Sequence, residues 1–450
     1  MIPDLPPDAP GAPNRTGRAD EQDRRARTWP AGARERLVDD RVRAVVASTI
    51  AVLDAEGVAR DASRVDDRLE RLFALSPYVL ETCERRPDVL RRLIADDALG
   101  PHDGGSLDGL RQDLHDTLLG SVVAGGREGD SAGGDIDRAL ADVPEAQLLS
   151  AMRTFRHRHM VRILWREFEG SASLDDTLGD LTRLAEVSVG VATRIAETLE
   201  RRRAGTPRDA EGTAQRLIVL GMGKLGGGEL NVSSDIDLIF LFPAGGRTDG
   251  RRATDNGEHF ARVARRVTKL LGSVTADGFA FRVDTRLRPF GESGPLAMSL
   301  DAFEHYLLTQ GRDWERYAMI KARALTGEAP DIAHLESLLR PFVYRRYVDY
   351  DALVSLADLK RKIRQAVATR RDRREDVKLG SGGIREIEFT GQALQLMRGG
   401  REPRLQIRPI RDVLGELGAL GMIPRGEVDT LLDAYAYLRR VENALQGMRD

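Results

Sequence analysis

The sequence predicts an α+β fold that is predominantly helical, with one small mixed sheet flanked by helical domains. Apolar residues recur at intervals of three and four along most of the 450 residues, which is the spacing of amphipathic helices. Only between residues 216 and 288 does the pattern change to that of buried or alternating strands. Charged residues make up 31% of the chain and aromatic residues 5%, a balance typical of long helices with solvated faces.

Composition excludes several classes of protein. The formal net charge of −2 argues against a nucleic-acid binder, which usually carries a basic surface. The single cysteine, Cys83, excludes a disulfide framework and a cysteine-based zinc site. No apolar run approaches the length of a transmembrane helix, and the proline-rich, acidic start lacks the features of a signal peptide. We therefore expect a cytoplasmic protein with no nucleic-acid and no membrane partner.

Four regions follow one another along the chain. Residues 1–33 are rich in Pro, Gly, Ala and charge and are expected to be disordered. Residues 34–140 are predicted to form an N-terminal helical region, and residues 141–328 the sheet domain with its preceding helices. Residues 329–450 are predicted to form a C-terminal helical domain. Its last helix is still periodic at Asp450, so we expect this domain to be truncated.

The individual elements are predicted from their periods and flanking residues. The predicted strands are 216–221, 235–242 and 279–288. The predicted helices from residue 145 onward are Glu145–Gly170, Ser173–Arg203, Glu258–Leu271, Leu300–Leu308, Asp313–Leu325, Ile332–Leu339, 351–370, Ile384–Met397 and one from about 425.

A glycine-rich segment after the first strand carries the main functional signal. Its start, GMGKLG (221–226), fits the dinucleotide fingerprint in letters but not in spacing, because no crossover helix fits before the next strand. It is not a P-loop, because the Gly-Lys pair with a following Ser or Thr is missing. Glycines here let backbone N–H groups approach a phosphate, and Lys224, one of only six lysines, adds a positive charge.

Two carboxylates follow this loop on the second strand. Asp235 and Asp237 are two residues apart, so both side chains are expected on one face. Two such carboxylates repel each other unless a cation lies between them, and Mg²⁺ is typically held by one or two carboxylates plus substrate phosphates. The alternative for this pair alone is a solvated strand start.

The third strand adds another acid to the same group. Strict alternation over 279–288 places Ala280, Arg282, Asp284, Arg286 and Arg288 on one face. An aspartate among arginines suits a site for metal-bound phosphates. For each arginine alone, a surface salt bridge is an equally good interpretation. His157 and His159 fall on different helix faces and offer no site.

The sequences of four segments indicate the class of protein more specifically. GMGKLGGGELNVSSDIDLIF, VDTRLRPFGESGPL, GRDWERYAMIKAR and VKLGSGGIREIEF occur in this order. Glycine loop, Ser-Asp-x-Asp strand and later carboxylate resemble the nucleotidyltransferase superfamily of the DNA polymerase β type. The four segments together resemble the bifunctional glutamine synthetase adenylyltransferase/adenylyl-removing family, over roughly residues 65–450. The wording from 311 onward resembles that of the amino-terminal half, which in this family removes AMP.

The resemblance implies a reaction and a set of residues. Orthophosphate would attack an AMP-tyrosine phosphodiester of glutamine synthetase and give tyrosine and ADP. Asp235, Asp237 and Asp284 would hold two Mg²⁺. The residues implied to bind phosphate or nucleotide are Gly223, Lys224, Gly226, Ser234, Arg286, Arg288, Lys378 and Arg385. For Lys378 and Arg385, docking of two domains is an equally good interpretation. A PII-type signal protein is implied as a further partner.

Three alternatives to this reading stay open from the sequence. The first is the ATP-dependent adenylylating activity of the same family. The second is a different enzyme of the same fold, such as an RNA-tailing nucleotidyltransferase, which the near-neutral charge and low aromatic content disfavour. The third is a non-catalytic module that only senses nucleotide, which the three intact carboxylates disfavour.

Overall fold

The computed structural model describes residues 37–55, 62–95, 107–123, 142–346 and 376–448. Within these ranges the protein is predominantly helical with small mixed sheets, which confirms the predicted fold class. Its helices are α1 (Asp40–Ala55), α2 (Ala62–Leu75), α3 (Pro77–Arg85), α4 (Pro87–Ala95), α5 (Leu107–Val123), α6 (Glu145–Phe168), α7 (Leu174–Ala204), α8 (Gly223–Gly226), α9 (Asn256–Gly272), α10 (Leu300–Thr309), α11 (Asp313–Met319), α12 (Ala329–Val343), α13 (Ile384–Arg398), α14 (Ile410–Ala419) and α15 (Arg425–Gly447).

The strands form two sheets. They are β1 (Pro207–Arg208), β2 (Ile218–Gly221), β3 (Ile236–Phe242), β4 (Arg247–Thr248), β5 (Val283–Asp284), β6 (Ala297–Ser299) and β7 (Arg323–Ala324). The main sheet has the order β5-β3-β2-β7, and β6 pairs with the second half of β3. Strand β2 is antiparallel to β3, whereas β5 and β6 run parallel to it.

Strand β3 is the centre of the molecule because both of its faces are buried. Leu238, Phe240 and Phe242 contribute to the same apolar core as helices α6, α7 and α9. Ile239 and Leu241 face a second core formed with α10 to α12. This explains why the sequence 235–242 is almost continuously apolar rather than alternating.

Helix α7 shows how local sequence determines an element. Ser173 is its N-cap and accepts a hydrogen bond from the N–H of Asp176, while the Asp176 carboxylate accepts one from the N–H of Ser173. Acidic residues lie in the first turn and three arginines in the last, as the helix dipole favours. The predicted start at Ser173 is therefore correct to one residue.

Two predicted elements are shorter than expected. The strand 279–288 is reduced to Val283–Asp284, because the N–H groups of Ala280 and Phe281 both donate to the Leu271 carbonyl and both side chains are buried. The helix predicted at Asp313–Leu325 ends at Met319. The chain then joins the sheet, where the N–H of Leu325 donates to the Val219 carbonyl. Strand β6 and helix α14 were not predicted.

The disordered start at 1–33 and the helix at 351–370 lie outside the described residues. Helix α15 ends at Gly447. Among the described helices, none combines the length and the apolar character that crossing a bilayer requires. The domain boundaries after residues 140 and 328 stay predictions.

A buried histidine makes stability depend on pH. His259 is fully buried on α9, burial lowers the pKa of its imidazole to about 4, and neither ring nitrogen has a hydrogen-bond partner among the described residues. Between pH 6.5 and about 4 the unfolded chain binds a proton that the folded chain refuses, so stability falls as the pH falls. His259→Leu should remove up to about 3 kcal/mol of this loss in urea unfolding. The exposed His305→Leu is the control, and an unchanged pH slope in His259→Leu would contradict the assignment.

Candidate functional site

The glycine loop lies against the second aspartate of the Asp-x-Asp strand. The N–H of Met222 donates to the Asp237 carbonyl at 2.9 Å, and α8 follows as a single turn. Gly223 has a φ of +52°, and a Cβ placed on it would lie 3.1 Å from Oδ2 of Asp237. Glycine therefore allows the loop to approach this carboxylate closely.

Gly226 has a different role from the one expected. Its N–H donates to the Met222 carbonyl, and a Cβ there would lie 2.0 Å from the Lys321 carbonyl oxygen. The loop packs so closely against the segment after α11 that only glycine fits at this position. Contact of Gly226 with a phosphate stays a prediction.

The three aspartates lie on or next to two neighbouring strands. Asp237 on β3 is register-paired with Asp284 on the parallel strand β5, and Asp235 lies just before β3. Burial, then the charges of Asp284 and Asp235, raise the pKa of the Asp237 carboxyl to about 6. Because Asp284 and Asp235 add to the cost of ionising the buried Asp237, this position favours a cation.

Two arginines already bind two of these acids. Nε of Arg282 donates to Oδ1 of Asp235 at 2.5 Å, and the Arg286 guanidinium holds both oxygens of Asp284, at 2.5 to 3.1 Å. Hydrogen bonding by Arg286 lowers the pKa of Asp284. Within the described ranges no three acidic, His or Cys side chains converge as a preformed metal cluster. Metal binding would therefore require Asp235 and Asp284 to exchange these arginine contacts.

Lys224 is engaged by the last helix. Its Nζ lies 3.1 Å from both carboxylate oxygens of Glu442 on α15, and its side chain is 14% exposed. Burial and the neighbouring Arg439 lower the pKa of Lys224 to about 8. The sequence could not indicate this pair, because its members are 218 residues apart.

The other predicted phosphate-binding residues differ in what their side chains and backbone contact. The positive charge of Lys378 offsets a small part of the rise in the pKa of Asp237. The Ser234 hydroxyl accepts the N–H of Asn231, and the Arg288 guanidinium binds the carbonyls of Thr285 and Glu292 within its own turn. The N–H of Arg385 donates to the Lys378 carbonyl, which joins Arg385 to the loop before α13.

Sequence reasoning missed a buried ion network beneath the loop. Nζ of Lys321 binds Glu229 at 2.7 Å and Glu388 at 3.1 Å, and Arg439 donates to the Glu229 carbonyl at 2.7 Å. Lys321, Glu229 and Glu388 come from three of the four segments that resemble the family. Their place in those segments was the one feature of the sequence that could have indicated the network. Arg439 lies outside those segments, and no local pattern marks it.

The fold and the site together define a class. A glycine loop, an Asp-x-Asp strand and a third aspartate in register on the adjacent parallel strand form a site of the nucleotidyltransferase type. A family model described as glutamate-ammonia ligase adenylyltransferase matches residues 67–337, and one described as GlnD PII-uridylyltransferase matches residues 357–450. The chain belongs to the glutamate-ammonia ligase adenylyltransferase family.

Individual relatives agree with the family match. The chain is 46% identical over 396 residues to the bifunctional glutamine synthetase adenylyltransferase/adenylyl-removing enzyme of Thioalkalivibrio sulfidiphilus, covering 87% of this chain and 38% of that relative. It is 45% identical over 383 residues to the enzyme of the same name from Shewanella loihica, covering 85% and 37%. The chain thus spans about two fifths of the length of these relatives, and the resemblance inferred from the four segments is confirmed.

Proposed function

We propose that this chain removes AMP from an adenylylated tyrosine of glutamine synthetase by phosphorolysis. An oxygen of orthophosphate attacks the phosphorus, the bond from phosphorus to the tyrosine oxygen breaks, and ADP forms while the phenolate takes up a proton. The observation that carries the proposal is the register pairing of Asp237 with Asp284 beside Gly223, because it brings a close-approach loop and two carboxylates together.

The residues fit a magnesium site. Asp235, Asp237 and Asp284 offer only carboxylate oxygens, which are the ligands that Mg²⁺ prefers. Burial and then the charges of Asp284 and Asp235 raise the pKa of Asp237, and a bound cation would offset both effects. Bound there, Mg²⁺ supplies positive charge to the phosphates and to the departing phenoxide. We expect two ions, as the resemblance implies.

The chain's own residues bind and orient the phosphates. Gly223 permits their close approach to Asp237, and Lys224 contributes an ammonium at the loop. Arg286, exposed beside Asp284, can turn from this carboxylate to a phosphate oxygen, since an arginine fork suits both groups. Lys378 adds a positive charge from the segment before α13. ADP and orthophosphate are accordingly the proposed small-molecule partners of this chain.

The direction of transfer is supported by the sequence rather than by the geometry. The chain contains one glycine loop with one Asp-x-Asp strand, within segments that resemble the adenylyl-removing half. The alternative is adenylylation from ATP, since the relatives' printed names cover both activities. The match to a PII-uridylyltransferase family over residues 357–450 supports a PII-type signal protein as a proposed regulator.

Phosphate dependence tests the proposal. The chain is mixed with adenylylated glutamine synthetase and Mg²⁺, and orthophosphate is varied. We expect the rate at which AMP is removed from glutamine synthetase to rise with phosphate concentration and then saturate. EDTA should abolish this removal. With ATP and unmodified glutamine synthetase, little AMP should be incorporated. Efficient incorporation without phosphate-dependent release would reverse the assigned direction.

A further inference from the structure

A cavity of about 750 Å³ is lined in part by Arg282, the residue that binds Asp235. Its walls come from α3, the start of α4, the middle of α6 and the segment 276–282. The volume falls within the range of ligand-binding pockets, about 300–1,000 Å³. The residues proposed to hold metal or phosphate, and the Lys224–Glu442 pair, do not line this cavity. Arg282, which binds Asp235, does line it.

The cavity has rigid aromatic walls. The Tyr78 hydroxyl shares a 2.7 Å hydrogen bond with Nδ1 of His157 and accepts another from Arg156 at 3.0 Å. The Arg156 guanidinium lies 5.4 Å from the ring centres of both Tyr78 and Phe279, within the range of cation–π attraction. These contacts fix the rings before any ligand arrives, which reduces the entropy cost of binding.

The charges of the lining favour an extended polar chain over a small anion. Four arginines, including the exposed Arg85, face three carboxylates, and Arg86 is already paired with Asp277 at 2.5 Å. The excess of one positive charge is small. Mixed charges next to aromatic faces can bind backbone amides and side chains of both signs, as protein interfaces do.

Arg282 connects the cavity to the candidate reaction centre. It lies 5.3 Å from the ring centre of Phe279 in the cavity wall, while its Nε binds Asp235. The glycine loop follows β2, whereas the cavity is lined by the segment that leads into β5, and these two strands flank β3 on opposite sides. The attacking and leaving oxygens of a phosphoryl transfer lie on roughly opposite sides of the phosphorus, so a phosphate at the glycine loop and a leaving group on the β5 side would satisfy this requirement.

We propose that this cavity receives the polypeptide segment of the substrate protein that flanks the adenylylated tyrosine. The inference rests on the proposed function, because it assigns the leaving-group side of that reaction. Tyr78 and Phe279 provide the apolar contacts, Arg85 meets the segment where it enters, and Arg282 lies between the segment and Asp235.

Comparison of a protein substrate with a small substrate tests this inference. The variants are Arg85→Glu and Phe279→Ala, with Arg265→Glu, an exposed arginine on α9, as the matched control. The substrates are adenylylated glutamine synthetase and the AMP diester of N-acetyltyrosinamide. We expect both variants to raise KM for the protein substrate about tenfold, the effect of losing an interface contact worth more than about 1 kcal/mol, with kcat changed less than about twofold. Their constants for the small diester should match those of the wild type.

A binding measurement separates failure of the inference from failure of the proposed function. Affinity for adenylylated and unmodified glutamine synthetase is measured without phosphate, so it does not depend on turnover. Weaker binding in both variants but not in Arg265→Glu supports the inference even if wild-type turnover proves to be adenylylation. Equal losses on both substrates, unchanged protein affinity, or selectively weakened binding of ADP would each overturn it, the last by assigning the cavity to a nucleotide.

Discussion

Asp237→Asn is expected to lower kcat by at least about 10²–10³-fold, because the charge stabilisation that a metal ion provides is worth several kcal/mol. The same variant should be at least as stable as the wild type in EDTA at pH 8. Burial and two neighbouring carboxylates raise the pKa of Asp237 to about 6, so its ionised form destabilises the folded apo protein at high pH, and a neutral amide removes this cost. Activity assays and thermal unfolding measure the two effects.

The control for this variant is Asp301→Asn. Asp301 is an exposed acid in the first turn of α10 and lies away from the three carboxylates. It should leave kcat unchanged. An Asp237→Asn protein that folds normally and keeps near-normal Mg²⁺-dependent activity would show that Asp237 is not a metal ligand.

Glu442→Gln is expected to lower the free energy of unfolding by about 3 kcal/mol. The substitution leaves the ammonium of Lys224 buried without its two-oxygen partner, and breaking one end of a buried ion pair is costly. Replacing both ends, Lys224→Met with Glu442→Met, should recover most of the loss, because apolar pairs often substitute for buried ion pairs. Tyr437→Ala, on the exposed face of the same helix, is the control in chemical denaturation.

The double variant then reports on the role of Lys224 in phosphate binding. Because stability is restored, any remaining kinetic defect belongs to the missing ammonium. We expect KM for orthophosphate to rise about tenfold, the value of one charged hydrogen bond. Near-wild-type kinetic constants would show that Lys224 only ties the glycine loop to α15.

Local sequence was sufficient where an element is determined by its own residues. The strand 235–242 is predicted to within one residue because its apolar run is bounded by Asp235 and by Pro243. The start of α7 follows from its capping box. Strand β5 and strand β7 depend instead on pairing partners tens of residues away. Alternation therefore predicted too long a strand around β5, and helical periodicity predicted a helix where β7 lies.

The candidate site shows the same division. Spacing predicted that the glycine loop and Asp237 belong together, and the structure places Gly223 against that carboxylate. Spacing could not predict that Asp235 binds Arg282 or that Lys224 binds Glu442, since these contacts depend on the packing of segments distant in sequence. Lys321 and Glu388 lie in segments that resemble the family, but the sequence indicated no role for either residue. The structure places both in the buried ion network beneath the loop.

The central claim is that this chain transfers AMP from a tyrosine to orthophosphate. The most direct measurement supplies ³²P-labelled orthophosphate with Mg²⁺ and adenylylated glutamine synthetase, and follows the label by chromatography. We expect labelled ADP, with the label in its β-phosphate and one ADP formed for each tyrosine freed of AMP. Release of unlabelled AMP would show hydrolysis rather than phosphorolysis, and either that result or AMP incorporation from ATP as the main activity would show that the proposed reaction is wrong.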